Sequence, residues 1–469
     1  MTQTARCWLA GSWQEIPGIE SLRPSPVDGS ELVHVEADLA RVMDLLPALA
    51  ELPEIACPPE QRIAALCQLA DALEADAPRF AAMLTMENGC PSAQSEALQV
   101  RSSVALLRAM ATLGERFEFV EERAAFRGGR VRIHRQPVGL ALGIVPWNVP
   151  LFLAAAKLAS SLIAGCPLLL KPSPENAPSM QAFAELVSQL DLPAGAVNIV
   201  IGGRELGASL VAHPAFQKVS FTGSTAAGKQ VAVACAARMA RCTLELGGKS
   251  AAVLLDDVRL EDIRSELFLA MLQNNGQVCG AQSRVLLPAS RYAELRDGLV
   301  ALFESLKLGD PREPDTQVGP LMSAGQASRV HELCDQGEQA GARLLTQTSG
   351  PDHDAYIAPR LFDQAMDTPL WSEEAFGPVI VLEAYRDEAQ ARELANASRF
   401  GLSGSVWASD TQRAAAFAGG LRTGTVGINS KKILDFAAPF GGWRESGLGR
   451  EFGPEGIQEY LEETAVLIP

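Results

Sequence analysis

Clusters of basic residues are missing from this chain of 469 residues, which has 40 Lys and Arg against 56 Asp and Glu and a formal net charge of −16. Nucleic acids and anionic membranes are bound through basic patches, so we expect neither as a partner. Histidine is scarce as well. No two of the five histidines stand at the spacing of metal ligands, and no metal site is predicted.

Paired cysteines and uninterrupted apolar runs are also lacking. The nine cysteines include no Cys-x-x-Cys pair, which is typical of reduced thiols, and the first residues lead into no apolar signal core. We therefore expect a cytoplasmic protein. The longest apolar stretch, 140–165, contains two prolines, an asparagine and a lysine, which are costly in lipid. A buried strand followed by a core helix explains it better.

What the chain does contain is an alternation of secondary-structure patterns. With 47% hydrophobic and 20% charged residues it is an ordered globular protein, too long for one core, and two or three domains are expected. Residues 59–85 and 91–117 have the three- and four-residue apolar spacing of helices. Residues 116–137 alternate apolar and basic side chains after Gly128 and Gly129, which predicts a hairpin with one apolar face suited to an oligomer interface.

Two regions of alternating strands and helices follow the hairpin. Short apolar runs of the first region predict strands at 140–145, 167–171, 197–201, 217–222 and 242–246. The second region predicts strands at 251–255, 283–287, 378–382 and 403–407, and helices at 260–274, 290–306, 324–340 and 387–397. This alternation indicates parallel sheets with both faces covered, and such sheets bind ligands beyond the carboxyl ends of their strands.

One thiol and one carboxylate stand among small and polar residues. Cys279 lies in Gln-Asn-Asn-Gly-Gln-Val-Cys-Gly-Ala, and Glu245 lies in Leu-Glu-Leu-Gly-Gly-Lys. The glycines beside both residues allow close backbone approach, so the pair fits a nucleophile and a base that act on a carbonyl. The alternative for Cys279 is a buried structural thiol.

Three further motifs lie at predicted strand ends, and each has two interpretations. Gly223–Lys229 nearly matches a P-loop, but Gln230 lacks the hydroxyl that binds Mg²⁺. Either a P-loop-like nucleotide-binding protein or a helix N-terminus that binds a phosphate explains it. Asn148 is suited to donate to a developing oxyanion, or to form a turn before a helix. Lys171 either reaches a ribose or phosphate or is a solvated charge.

Seven segments together resemble the aldehyde dehydrogenase superfamily over nearly the whole chain. They stand in the family's order and at about its spacing, which is far more specific than any one of them. The segments are Ile144–Pro150, Leu170–Ser173, Ser220–Thr225 with Gly228, Leu244–Lys249, Asn275–Cys279, Glu373–Val379, and Pro439–Trp443 with Ser446–Glu451.

The resemblance implies the hydrolytic, NAD(P)-dependent reaction, in which an aldehyde is oxidised to a carboxylic acid. By similarity, Cys279 is the thiolate that forms a thiohemiacetal and then a thioester. Asn148 and the Cys279 amide are the implied oxyanion donors, and Glu245 is the implied base that activates water.

The resemblance also implies a set of cofactor contacts. Lys171 is expected at the adenosine ribose, Ser224 at the pyrophosphate, Glu374 at the nicotinamide ribose, and Phe376 near the ring. The full implied set is Val145, Pro146, Trp147, Lys171, Ser173, Gly203, Phe221, Thr222, Gly223, Ser224, Leu246, Glu374 and Phe376.

The family's architecture implies an α/β fold of three parts. Residues 1–115 and 138–247 are expected to form a Rossmann-like cofactor domain, and residues 248–445 an α/β catalytic domain. Residues 116–137 and 446–469 are expected to form a β-strand oligomerisation arm, and the chain is expected to be a homodimer or homotetramer.

One position departs from the family's pattern. Many NAD-preferring members have a Glu three residues after the Lys, where it binds the ribose hydroxyls and repels a 2′-phosphate. Here Pro174 stands at that position, and Glu175 follows it. We expect NAD as the cofactor, with NADP possible.

The substrate is weakly encoded. Phe152, Leu153 and Ala156 face either an apolar tunnel or the core of their own helix. Lys431 and Lys432 lie in a region that borders the substrate entrance in the family, where they either attract an acidic semialdehyde or belong to a solvated loop. We expect a medium-length or aromatic aldehyde.

Two alternatives of other kinds remain. In a CoA-acylating aldehyde dehydrogenase the thioester passes to a thiol, and such relatives often lack the base, so Glu245 favours water as the acceptor. In a non-catalytic cofactor binder, Cys279, Glu245 and Asn148 would have no joint use.

Overall fold

The computed structural model of the chain describes residues 3–52 and 54–469, which form three β-sheets packed with helices. The strands are β1 (Gln3–Leu9), β2 (Ser12–Pro24), β3 (Glu31–Ala37), β4 (Val120–Ala124), β5 (Arg130–Pro137), β6 (Ala141–Val145), β7 (Leu168–Pro172), β8 (Val197–Ile199), β9 (Lys218–Thr222), β10 (Arg241–Glu245), β11 (Ala251–Leu254), β12 (Arg284–Pro288), β13 (Arg343–Leu344), β14 (Arg360–Asp363), β15 (Val379–Tyr385), β16 (Ser403–Trp407), β17 (Thr425–Ile428), β18 (Gly447–Leu448) and β19 (Leu461–Ile468).

Sixteen α-helices occur in the described residues. They are α1 (Leu39–Ala50), α2 (Pro59–Ala75), α3 (Ala77–Asn88), α4 (Ser92–Gln94), α5 (Ser102–Glu115), α6 (Pro150–Ala164), α7 (Ala177–Val187), α8 (Arg204–Ala212), α9 (Thr225–Ala236), α10 (Leu260–Leu272), α11 (Tyr292–Glu304), α12 (Ala324–Gln339), α13 (Pro369–Ser372), α14 (Glu388–Asn396), α15 (Thr411–Ala418) and α16 (Gly453–Gln458). None of these helices is long and apolar enough to cross a membrane.

The first large sheet has nine strands in the order β18-β10-β9-β6-β7-β8-β1-β2-β3. Its five central strands, β10 to β8, are parallel, as predicted from the alternation of residues 140–246, and their bounds agree within two residues. The three N-terminal strands, which were not predicted, add an antiparallel extension at one edge.

The second large sheet has seven strands in the order β13-β14-β15-β12-β11-β16-β17. The four strands and four helices predicted between 251 and 407 are confirmed, while β13, β14 and β17 were not predicted. Alternate residues of the strands enter opposite apolar clusters: Val253 packs on one face, and Ala252 and Leu254 pack on the other. Full burial of such side chains contributes about 1.5–3 kcal/mol for each large one.

The third sheet has three strands in the order β19-β5-β4. The predicted hairpin of residues 116–137 is confirmed as β4 and β5, and β19 pairs along the whole of β5. The predicted arm segment 446–469 is divided, however, because β18 pairs with β10 in the nine-stranded sheet. The domain boundaries themselves stay a prediction.

Two of the long predicted helices are interrupted. The stretch 59–85 is broken at Asp76 into α2 and α3, since Pro78 is favoured in the first turn of a new helix and disfavoured in the interior of an old one. The stretch 91–117 begins with α4 and a π-helix over Ser95–Arg101 before α5 starts.

Candidate active site

Cys279 is presented by a buried turn that follows α10. Asn274 and Asn275 have φ of 51° and 58°, and Gly276 has φ of 78°, so three successive residues adopt left-handed conformations. The Asn275 carboxamide fixes the turn, because its nitrogen donates to the carbonyls of Gly89 and Pro320 at 2.9 and 2.8 Å. These hydrogen bonds hold the buried turn in place, and the turn thereby fixes the position of Cys279.

Cys279 as a whole residue is half-buried and packs at the edge of a large apolar cluster. Burial, followed by the carboxylates of Glu374 and Glu245, raises the pKa of the Cys279 thiol to about 12. A thiol with this pKa is protonated at neutral pH, so a proton acceptor has to take its proton before it attacks a carbonyl.

Asn148 is held against the same turn. It lies between β6 and α6, is 4% exposed, and donates from Nδ2 to the Gln277 carbonyl at 2.9 Å. Its own carbonyl accepts from the carboxamides of Asn88 and Asn274, both at 3.0 Å. The Nδ2 atom has a second hydrogen, which this bond to Gln277 does not use. Asn148 can therefore form the turn and also donate to an oxyanion.

Glu245 is the last residue of β10 and is 3% exposed. Neither oxygen of its carboxylate has a hydrogen-bond partner among the described residues. Burial, followed by the negative charge of Glu451, raises the pKa of the Glu245 carboxyl well above its ordinary value, while Lys157 and Arg450 act in the opposite direction. A buried carboxyl with free lone pairs and a raised pKa has the properties of a general base.

Gly247 and Gly248 bring these groups together. A Cβ on Gly248 would lie 2.5 Å from the Cys279 carbonyl oxygen, and a Cβ on Gly247 would collide with the Glu374 carboxylate. The Gly248 amide donates to Glu374 Oε1 at 2.9 Å. The close approach predicted from the glycines is thus confirmed: the segment after Glu245 packs directly against the Cys279 backbone and Glu374.

A buried ion pair between Lys157 and Glu451 acts on the pKa of the Glu245 carboxyl. Lys157 of α6 donates to Glu451 Oε1 at 2.8 Å and to the hydroxyls of Ser220 and Thr222, both at 2.9 Å. Lys157 was not predicted as a functional residue. It could have been recognised from the sequence, because a lone lysine inside an apolar helix requires a buried partner.

The predicted cofactor residues between Val145 and Leu246 lie at or just beyond the carboxyl ends of the parallel strands of the nine-stranded sheet. Lys171 is the penultimate residue of β7, and its ammonium group donates to the Gly203 carbonyl at 3.2 Å. A cavity of about 340 Å³ adjoins it, lined by Ile144, Lys171, Arg204, Gly207, Phe221 and Val231 among others. Burial lowers the pKa of Lys171 to about 8, and the nearby carboxylates of Glu175 and Glu36 oppose that shift. Lys171 is therefore no solvated strand-end charge.

The segment Phe221–Ser224 joins the end of β9 to α9. Ser224 caps this helix, and its hydroxyl accepts from the Ala227 amide at 3.3 Å. The Lys229 ammonium, by contrast, is paired at the surface with Glu445 at 2.9 Å. A P-loop lysine has to reach phosphates over its own loop, so this pairing speaks against the P-loop interpretation.

Trp147 and Phe376 form an edge-to-face pair with ring centroids 5.4 Å apart. Phe376 has φ of 53°, a strained value for a bulky residue, and its carbonyl accepts from Gln326 at 3.0 Å. Backbone strain of this kind concentrates at ligand sites. Phe376 therefore lies against Trp147, whereas Val145, Pro146, Ser173 and Leu246 lie at the strand ends of β6, β7 and β10.

A thiol, an unpaired buried carboxylate and a cavity at the carboxyl ends of a parallel sheet fit an oxidoreductase that works through a covalent thiol adduct. The profile of the aldehyde dehydrogenase family matches residues 23–466. The chain belongs to the aldehyde dehydrogenase family, and the reaction class is the oxidation of an aldehyde.

Individual relatives agree with this assignment. Geranial dehydrogenase of Castellaniella defragrans is 38% identical over 406 residues, which are 86% of this chain and 84% of the relative. Phenylacetaldehyde dehydrogenase of Pseudomonas fluorescens is 34% identical over 88% of this chain and 84% of its own length. The structure of a Mycobacterium tuberculosis aldehyde dehydrogenase complexed with NAD+ superimposes with a TM-score of 0.95 at 34% identity and covers 100% of this chain and 99% of its own.

Proposed function

We propose that this chain oxidises an apolar aldehyde to its carboxylic acid with NAD as the acceptor, through a covalent adduct on Cys279. The observation that carries the proposal is the packing of the segment after Glu245 against both the Cys279 backbone and Glu374. This packing supports a site in which Cys279 is the nucleophile, Glu245 the base and Glu374 a ribose ligand.

The first step is attack of the Cys279 sulfur on the aldehyde carbon. Because the Cys279 thiol has a raised pKa, its proton passes to a base, and Glu245 offers unpaired carboxylate oxygens. The carbonyl oxygen becomes an alkoxide, which the Asn148 carboxamide and the Cys279 amide stabilise by donating hydrogen bonds.

The residues at the strand ends fit a dinucleotide. Lys171 and the adjoining cavity suit an adenosine, and Glu374, held by the Gly248 amide, suits the second ribose. When bound, the cofactor would supply a hydride acceptor, and removal of a hydride from the Cys279 adduct would give a thioester.

The second half of the reaction is hydrolysis of the thioester. After the proton taken from Cys279 has passed from Glu245 to solvent, Glu245 removes a proton from water, the water oxygen attacks the acyl carbon, and the Cys279 sulfur leaves as a thiolate. A carboxyl group whose pKa is raised by burial is a stronger base than an ordinary carboxylate and is matched to this task. The presence of Glu245 favours water over CoA as the acyl acceptor, because transfer to a thiol does not require this base.

NAD is proposed as the cofactor for two reasons. Solved structures of similar proteins, including the Mycobacterium tuberculosis enzyme, are described as NAD+ complexes. In this chain the Glu175 carboxylate, although displaced by Pro174, still acts on the Lys171 ammonium group. Titration of the purified protein with each cofactor tests the choice, and a strong preference for NADP would contradict it.

The substrate is proposed to be an apolar aldehyde of medium length or with an aromatic group. Phe152 is 7% exposed, and its ring packs against Phe436 and Phe452 at centroid distances of 6.2 and 5.8 Å. Ile433 lies against Gly280, next to the nucleophile. Lys431 is engaged with Glu266 at 3.9 Å, so it is a poor attractant for an acidic semialdehyde.

The proposal also covers the oligomeric state and the cellular compartment. We propose a homodimer or homotetramer, because β19 leaves Leu467 77% exposed at an open sheet edge. We also propose the cytoplasm as the compartment, because all nine cysteines are free thiols in the structure.

The test of the proposed reaction is cofactor reduction by the purified chain across an aldehyde panel, with and without CoA, and with the product analysed as an acid or a thioester. Cys279→Ala should abolish turnover, whereas Cys67→Ala, which removes an exposed thiol elsewhere, should leave it unchanged. Full steady-state activity in Cys279→Ala would refute the proposal.

A further inference from the structure

Glu36 lies at the end of the N-terminal hairpin, on the strand that forms one edge of the nine-stranded sheet. The hairpin is tied to the loop after β8, since the Ala37 amide donates to the Ile201 carbonyl at 3.4 Å. Glu36 Oε2 lies 2.7 Å from the position that a Cβ on Gly203 would occupy. A carboxylate from the first forty residues thereby reaches the loop that precedes α8.

The same loop holds Lys171. The Lys171 ammonium donates to the Gly203 carbonyl at 3.2 Å, so Glu36 and Lys171 approach Gly203 together. The negative charges of Glu175 and Glu36 both raise the pKa of the Lys171 ammonium group, against the effect of its burial. The three charged groups therefore form one cluster around Lys171, which with Arg204 helps to line the 340 Å³ cavity.

The position of Glu175 explains why a second carboxylate matters here. Pro174 displaces the glutamate by one residue, and the Glu175 carboxylate accepts from the Ser173 hydroxyl. The Glu175 backbone is fixed as well, because its carbonyl accepts from Arg23 at 2.9 Å. Part of the hydrogen-bonding capacity of Glu175 is thus used by its own segment.

The groups that would attract a phosphate are also present. Arg204 is exposed beside the cavity, and the N-terminus of α8 favours an anion. Without an opposing charge, this corner would therefore accept a 2′-phosphate on the adenosine ribose. Selectivity against an ionic group is commonly obtained by placing a like charge at its position.

We propose that Glu36 is a specificity-determining residue, which accepts a hydrogen bond from the adenosine ribose and repels a 2′-phosphate, and so makes the site selective for NAD over NADP. This inference rests on the proposed function of the strand-end site. Glu36 takes over part of the task that a glutamate at position 174 would perform, and it does so from a separate structural element.

The experiment compares wild type with Glu36→Gln and uses Glu205→Gln as the matched control. Glu205 lies in the first turn of α8 and carries the same charge. Among the described residues it is not one of the carboxylates that shift the pKa of Lys171. The ratio of kcat/KM for NAD to that for NADP should fall roughly tenfold or more in Glu36→Gln and stay constant in Glu205→Gln.

A binding measurement separates the inference from catalysis. Calorimetric titration with 5′-AMP and with adenosine 2′,5′-bisphosphate reports the adenosine end alone. Glu36→Gln should lower the ratio of the dissociation constant for adenosine 2′,5′-bisphosphate to that for 5′-AMP by roughly tenfold or more. If Glu36→Gln does not fold, Glu36→Ser gives the same neutral comparison. A merely structural role at the helix N-terminus would lower the melting temperature and leave the ratio unchanged, which would overturn the inference.

The two proposals fail in different ways. If the wild-type chain oxidises no aldehyde but discriminates between the two adenosine ligands through Glu36, the proposed reaction is wrong and the selectivity is upheld. If it oxidises aldehydes and the Glu36→Gln ratio equals the wild-type ratio, only the selectivity inference is overturned.

Discussion

Each group at the reactive point is set by its neighbours. Glu245 has no hydrogen-bond partner in the described chain, and its protonation is governed by burial and by four charges: Glu451 and Glu459 raise its pKa, and Lys157 and Arg450 lower it. The Lys157–Glu451 pair is itself buried and hydrogen-bonded, so its geometry is fixed. The pair therefore tunes the base without contacting it.

Glu451→Gln should move the acidic limb of the steady-state pH–rate profile to lower pH. Glu451 raises the pKa of the Glu245 carboxyl, so removing its charge lowers that pKa and leaves Glu245 deprotonated at more acidic pH. The profile of kcat against pH measures the effect. Glu445→Gln, which removes a surface carboxylate paired with Lys229, is the control and should leave the limb in place.

At the scale of elements, the connection between β10 and β11 decides whether the site exists. Gly247 and Gly248 let this connection pass between Glu374 and the Cys279 carbonyl, with no room for a side chain at either position. The requirement is one of close packing, because neither glycine has a left-handed backbone conformation.

Gly248→Ala should reduce kcat by at least about a hundredfold, because the added methyl displaces the Cys279 backbone, and a misplacement of about 1 Å costs that factor. Gly325→Ala is the matched control. Its Cβ would meet only the Ser323 hydroxyl, at 3.8 Å, and the change should leave kcat intact. Wild-type kcat in Gly248→Ala would contradict the packing account.

At the scale of the whole molecule, the three-stranded sheet leaves an apolar edge open. Leu467 of β19 is 77% exposed, and Ile19 of β2, on a different sheet, is 78% exposed. The two residues therefore allow a direct comparison, because neither is needed for the core of its own chain.

Leu467→Lys should shift the oligomer toward smaller species, since a charge at a subunit interface is costly to bury. Ile19→Lys should leave the oligomer as it is. Light scattering after size-exclusion chromatography gives both molecular masses. An unchanged mass for Leu467→Lys would contradict the proposed role of this edge.

The sequence predicts this molecule unevenly. The parallel strands and the positions of Cys279, Glu245 and Asn148 follow from periodicity and local motifs, because strand ends and glycines are local signals. Lys157 with Glu451, and Glu36 with Lys171, are separated by 294 and about 135 residues along the chain, and only the folded sheet brings them together. The N-terminal hairpin was missed because its turn, Ala10-Gly11, lacks the usual Asn-Gly or Asp-Gly pair.

The central claim is that Cys279 carries the acyl group and Glu245 releases it. Rapid mixing of Glu245→Gln with NAD and an accepted aldehyde tests it directly, with the mass of the Cys279 peptide measured after quenching. The account predicts a burst of about one reduced cofactor per site, little steady-state turnover, and an acyl group on the Cys279 peptide. Wild-type steady-state turnover in Glu245→Gln, or an acyl group found on any other residue, would contradict it.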